Sequence, residues 1–319
     1  MSELIQAHGR RRFLGGAAGV GAAFMIAHDL VSWAAEPEKQ AASEHGRPDT
    51  LPEFAHKLPR WKPKVPALVD LTDALQNHYA FAKVQANIAG TESWLYQYGW
   101  ELLCPPGKPA YPILGRIMLV KMFVTATDPA WAPDVDEHAY TTWGTFTTVY
   151  TDPRTFEPVQ RILNPYTGKW IDVPTLHYAD RLVTRYGKSI IVPGVDPAFY
   201  DQPWDRDAQY SQHHILTGPE VSYTVLGSAQ LDGPHQPRVD VGFWTVQAKE
   251  LGNSAMRVIN TRRDYSAVMK ASEYRRFDVP KGDPAQLFVH LSGWKVQDRR
   301  ELPPIVRRTI LDRFASRFA

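Results

Sequence analysis

From Glu92 onward the chain alternates with a period of two. Trp94, Tyr96, Tyr98, Trp100 and Leu102 fall on one side of an extended segment, and Gln97, Gly99 and Glu101 on the other. This is the pattern of a strand with two unlike faces. Further β-rich segments follow at 117–125, 142–150, 159–163, 169–178, 181–186, 212–216, 221–231, 239–249, 255–264 and 286–296. Turn residues separate them, among them Asp152-Pro153, Asn164-Pro165, Gly218-Pro219, Asp232-Gly233-Pro234 and Gly282-Asp283-Pro284. No helical periodicity intervenes. Parallel neighbours would need long crossovers, so the strands are expected to pair antiparallel. Roughly nine to eleven such strands cannot stay flat in one sheet. The expected fold is therefore mainly β: an antiparallel β-barrel-like domain, lipocalin-like or a curled sheet. Segment 117–125 is apolar on nearly both faces and should be central.

Helices are expected only at the two ends of this domain. Leu68, Leu71, Leu75, Tyr79 and Ala82 recur at three or four residues and predict a helix over 67–89, closed by Gly90. Val306, Ile310, Phe314 and Phe318 form an every-fourth stripe over 302–319, with Pro303-Pro304 in the first turn. So narrow a stripe fits docking on the sheet better than a membrane surface. Residues 35–66 are polar and Pro-rich and read as a linker, leaving 67–319 as a single β-rich domain.

The N-terminus carries an address. Arg10-Arg11-Arg12-Phe13-Leu14 precedes a Gly/Ala-rich, weakly apolar run that ends at Ser32-Trp33-Ala34, a small-x-small cleavage pattern. Arg10, Arg11, Phe13 and Leu14 match a twin-arginine signal, which makes 1–34 the signal peptide and the twin-arginine translocase a transient partner. The expected location is periplasmic or secreted. Cys104 is the single cysteine, which fits a chain that folds in the reducing cytoplasm before export; beside Pro105-Pro106-Gly107 it reads as inert. Lys+Arg number 36 against 34 Asp+Glu, a balance with no nucleic-acid footprint.

Ten Trp and an aromatic share of 12% direct attention to the rings. If the aromatic face of 92–102 is the interior, Trp94, Tyr96, Tyr98 and Trp100, joined by Trp143, make an amphipathic wall for a ligand. The alternative is plain core filling. Among polar candidates, His213 and His214 are adjacent and face opposite ways on a strand. His177 and Asp172 have odd spacing, with Pro174 bending the chain between them, and His290 shares a face with Phe288 and Trp294. Each of these His residues is a candidate general acid or base, with Asp172 as the carboxylate partner of His177 in the enzyme reading. Phosphate-cradling, nucleophile-elbow and thiol-pair motifs are absent from the sequence, as is any metal-ligand spacing. No cofactor and no metal are expected.

One motif stands apart. Thr148-Val149-Tyr150-Thr151-Asp152, then Arg161-Ile162-Leu163, Asn164-Pro165-Tyr166-Thr167-Gly168 and Trp170-Ile171-Asp172-Val173-Pro174 resemble the domain of unknown function 1838 family of exported bacterial proteins. The resemblance implies no activity, but it draws Asn164 and Tyr166 into the candidate site. The expectation is an exported protein that binds a small apolar or aromatic molecule in a β-barrel cavity. The alternatives are a cofactor-free lyase, isomerase or hydrolase acting on a hydrophobic substrate there, and an envelope interaction protein whose rings are all core.

Overall fold

The computed structural model describes residues 57–65, 73–126, 138–186, 207–217, 219–229, 238–273 and 277–318. The expected signal residues Arg10, Arg11, Phe13 and Leu14, most of the expected linker, and 67–72 of the expected first helix lie outside them.

Among the described residues eleven strands form: β1 (Ser93–Cys104), β2 (Tyr111–Ala126), β3 (Tyr140–Thr151), β4 (Arg161–Asn164), β5 (Lys169–Asp172), β6 (Leu176–Tyr186), β7 (Asp207–Thr217), β8 (Glu220–Ala229), β9 (Arg238–Gln247), β10 (Thr261–Lys270) and β11 (Gln286–Val296). Nine of them make one sheet in the order β6-β3-β2-β1-β11-β10-β9-β8-β7, and β4-β5 is a separate hairpin. Every pairing is antiparallel. The order is that of an up-and-down barrel cut open between β6 and β7. The expected closed barrel is therefore corrected to an open sheet among the described residues. With nine strands the two edge strands, β6 and β7, run in the same direction, so closure would require a parallel pair in a sheet whose pairings are all antiparallel.

Several boundaries move. Pro174 separates β5 from β6, so 169–178 is not one strand. The strand expected at 255–264 is instead Thr261–Lys270. Its inward Tyr265, Ala267 and Met269 alternate with outward Asp264, Ser266 and Val268. β2 is covered on both faces, as its composition requires.

Helices are few. α1 (Ala74–Gln85) starts at Asp73, whose side chain accepts from Gln76 N at 2.8 Å, a normal N-cap. α2 (Ala248–Gly252) is short. The expected C-terminal helix is corrected to one α-helical turn (Pro304–Val306), a π-helical turn (Arg307–Leu311) and a 3₁₀ turn (Ala315–Arg317). Its apolar stripe still docks: Val306, Ile310 and Phe318 are buried against Trp94, Tyr96, Ile117, Leu119 and Val149. No helix among the described residues is long and apolar enough to cross a membrane.

The sheet thus has two faces. The inner face carries Leu95, Met118, Val120, Phe146 and Trp244 beneath α1, α2 and Trp61. Toward its other end, Leu103, Leu114, Tyr265 and Leu287 pack beneath Ile171, Phe277 and Val279, which belong to the β4-β5 hairpin and the 271–285 connection. The outer face carries Trp94, Tyr96, Tyr98 and Trp100. Two buried lysines fasten the helices to the inner face. Lys295 Nζ donates to the carbonyls of Lys83 (2.8 Å) and Ala86 (2.6 Å) at the end of α1. Lys83 Nζ donates to those of Glu250, Leu251 and Asn253 at 2.7, 3.0 and 2.8 Å, at the end of α2. Cations at helix C-termini satisfy orphan carbonyls and the dipole together.

A candidate binding site on the inner face

The inward positions of β1 are Leu95, Gln97, Gly99, Glu101 and Leu103. Leu95 belongs to one apolar cluster and Leu103 to the other. Gln97 and Glu101, lying between them, are completely buried. Register adds neighbours: Arg116 of β2 sits opposite Gly99, Tyr150 of β3 opposite Arg116, and Gly293 of β11 separates Gln97 from Arg263 of β10. A polar band therefore crosses five strands between two apolar halves.

Glu101 Oε1 accepts from Arg116 Nη1 at 3.2 Å, and both side chains are fully buried. The Arg263 guanidinium lies 4.9 Å from the Trp244 ring centroid and 5.8 Å from that of Tyr265. Gln97 differs from these: neither its Oε1 nor its Nε2 has a hydrogen-bond partner, and Glu101 Oε2 also has none. A buried polar group left without a partner costs about 1–3 kcal/mol, so three such atoms in one band set a substantial demand for a complementary molecule. The floor beside Gln97 is bare backbone. A Cβ on Gly99 would stand 2.0 Å from the His290 carbonyl oxygen, and one on Gly293 1.9 Å from that of Tyr96. Only glycine permits this approach of β1 to β11.

The aromatic wall expected to line an enclosed interior is corrected, because those rings face the other way. Trp94 and Tyr96 lie under the C-terminal segment. Burial, with Tyr98 and Glu301 adding to it, pushes the Tyr96 phenol up to about 12. Tyr98 and Trp100 are largely exposed. Trp143 is buried on the outer side with Phe123 and Leu58, and its indole N–H donates to Thr125 Oγ1 at 2.9 Å.

The His177–Asp172 pair is also corrected. His177 Nδ1 shares a hydrogen bond with Thr147 Oγ1 at 2.8 Å and meets the Phe318 ring edge-on. Asp172, on the separate hairpin, is exposed beside Arg161 at 3.5 Å. His290 Nδ1 shares a hydrogen bond with Ser266 Oγ at 2.9 Å and stacks on Phe288, both on the outer face. His213 lies opposite Tyr223, at the start of an irregularity in β7 that includes His214; their side chains lie outside the description.

Asn164 and Tyr166 form a clasp. Asn164 Nδ2 donates to the Phe277 carbonyl at 2.7 Å while its Oδ1 accepts from Tyr166 N at 2.9 Å. Tyr166 OH donates to Asp283 Oδ1 and Oδ2 at 3.1 and 3.0 Å, and this contact raises the phenol's pKa. Gly168 takes a φ of 71° to close the turn. The pentapeptide thus ties the hairpin to the 277–283 connection. Cys104 is half-buried, and burial pushes its thiol up, away from the reactive thiolate. Among the described residues, no group of three or more His, Cys, Asp or Glu gathers as metal ligands would.

Gln97, Glu101, Arg116 and Arg263 were not candidates from sequence. Their signal is the polar side of the aromatic strand: two polar residues at positions that alternate with rings. Comparison with protein-family models, curated proteins and solved structures finds no match.

Proposed function

We propose that the protein is exported and holds a small, mostly apolar molecule against the inner face of the sheet, with one polar group of that molecule docked on Gln97. The observation that carries this reading is the fully buried Gln97 amide with neither atom partnered. An amide offers a donor and an acceptor side by side. Its natural complement is an adjacent acceptor–donor pair, as in an amide, a lactam or a protonated carboxyl group. The apolar clusters on both sides of the band suit the rest of such a molecule. The N-terminal twin-arginine pattern supports export, and the resemblance to the domain of unknown function 1838 family adds no activity to this reading.

Native mass spectrometry of the gently purified protein tests the proposal. The expected result is a bound species of defined mass, lost in Gln97→Leu while the circular dichroism spectrum is kept. The bare mass in both proteins would contradict it. Glu101 favours a second reading. With Oε2 unpartnered and Oε1 on Arg116, it could serve as the acid or base of a cofactor-free lyase, isomerase or hydrolase. Glu101→Gln separates the two: it would abolish turnover of the identified molecule but retain its binding.

A further inference from the structure

The outer face of β8–β11 carries a cavity of about 600 Å³, walled in part by Glu220, Phe243, Gln247, Arg262, Asp264 and Trp294. Its size is that of a small-molecule site. Phe243 and Trp294 are each 43% exposed, and Tyr98 and Trp100, on the same face, are each 40% exposed. Phe243, Asp264, Ser292 and Tyr98 lie in one row across β9, β10, β11 and β1. The row spans three strand spacings, roughly 14 Å. The rings are held in place: Tyr98 stacks on Tyr96 at 6.4 Å and 7°, and Trp100 Nε1 donates to the Pro153 carbonyl at 2.9 Å.

The polar groups between them are preset as well. Arg262 Nε and Nη2 donate to Asp264 at 2.8 and 3.1 Å, Ser292 Oγ donates to the same carboxylate at 2.6 Å, and Gln247 Nε2 donates to Glu220 Oε1 at 2.9 Å. The charges limit the occupant. Glu220, Glu250 and Asp264 at the cavity disfavour an anion, and Arg262 is already held by Asp264, so the lining offers hydrogen-bond partners between the rings. What suits the site is an uncharged molecule that presents flat apolar faces to the rings and hydroxyls to the carboxylates, amide and guanidinium.

We infer that this face binds a neutral saccharide chain, with Phe243 and Trp294 stacking on sugar rings in the cavity and Tyr98 and Trp100 extending the track. The C–H face of a pyranose meets the negative face of an aromatic ring. Its hydroxyls donate to Asp264 and Glu220 and accept from Arg262 and Gln247. A half-exposed aromatic patch of this extent marks a binding surface.

The test is a tryptophan-fluorescence titration of the full chain with linear hexasaccharides: β-1,4-, β-1,3- and α-1,4-linked glucose, and β-1,4-linked N-acetylglucosamine. At least one should shift the emission. Its dissociation constant should rise tenfold or more in Trp294→Ala and in Phe243→Ala, read by calorimetry, and stay unchanged in Gln97→Leu. Circular dichroism confirms that the variants are folded. No binding at millimolar saccharide would overturn the inference, as would binding that both variants retain. Concentration-dependent dimerisation abolished by Trp294→Ala would overturn it too, by assigning the face to a second copy of the chain.

Discussion

The two faces of the sheet use the same residue types in opposite ways. On the inner face rings fill the core and the polar side chains are the anomaly: Gln97 and Glu101 lie completely buried between two apolar clusters. On the outer face the polar groups are interlocked, as in Arg262–Asp264–Ser292, and the exposed rings are the anomaly. Burial makes an unpartnered polar atom costly, and exposure does the same for an uncovered aromatic surface. Each face departs from a self-sufficient fold in the way its environment penalises, so each calls for its own complement.

Breaking the buried ion pair should have the largest effect. Arg116→Met leaves the Glu101 carboxylate buried without its arginine and should cost about 3–5 kcal/mol in urea denaturation. Adding Glu101→Leu should recover most of that loss. Gly99→Ala or Gly293→Ala pushes a methyl into the neighbouring strand's carbonyl. Each should cost about 1–3 kcal/mol or more, visible as a lower midpoint. Asn164→Ala removes the clasp to Phe277 and should cost about 1–3 kcal/mol; faster proteolysis within the 271–285 connection would locate the loss there. On the outer face, the exposed Val268→Thr should change stability by less than about 0.5 kcal/mol, and a larger loss would show that face to be covered.

A pH slope from the buried lysines is expected as well. Burial, only partly offset by Glu250, pulls the Lys83 amine down to about 8, and burial lowers Lys295 as well. Between pH 8 and the ordinary lysine range near 10.5, the unfolded chain binds more protons than the folded one. Stability should therefore rise with pH across that window. Denaturation midpoints at pH 7.5 and 9.5 check the sign, and Lys83→Met should flatten the slope.

Much of the architecture was legible because period-two alternation and short turns leave antiparallel pairing as the main option. The centrality of 117–125 and the docking role of Val306, Ile310 and Phe318 followed from local pattern, whereas Pro174, read as a bend within one strand, separates two. Closure was not legible: strand parity depends on how many segments join the sheet, and the hairpin 161–172 stands outside it. The candidate site was half visible. Alternation places Gln97, Gly99 and Glu101 together and opposite Trp94 to Trp100, but it does not say which set faces inward. That choice depends on distant cover: α1 and the 271–285 connection over one face, the C-terminal segment over the other. Arg263 is likewise brought to the band only by the β10-β11 register.

The central claim is that the inner polar band is built around an occupant. A high-resolution crystal structure of the natively purified protein tests it most directly, through the density within hydrogen-bonding distance of the Gln97 amide. The account predicts a multi-atom organic molecule there that contacts both Oε1 and Nε2. Density for isolated waters alone, or a Gln97 side chain turned onto a protein partner, would contradict it.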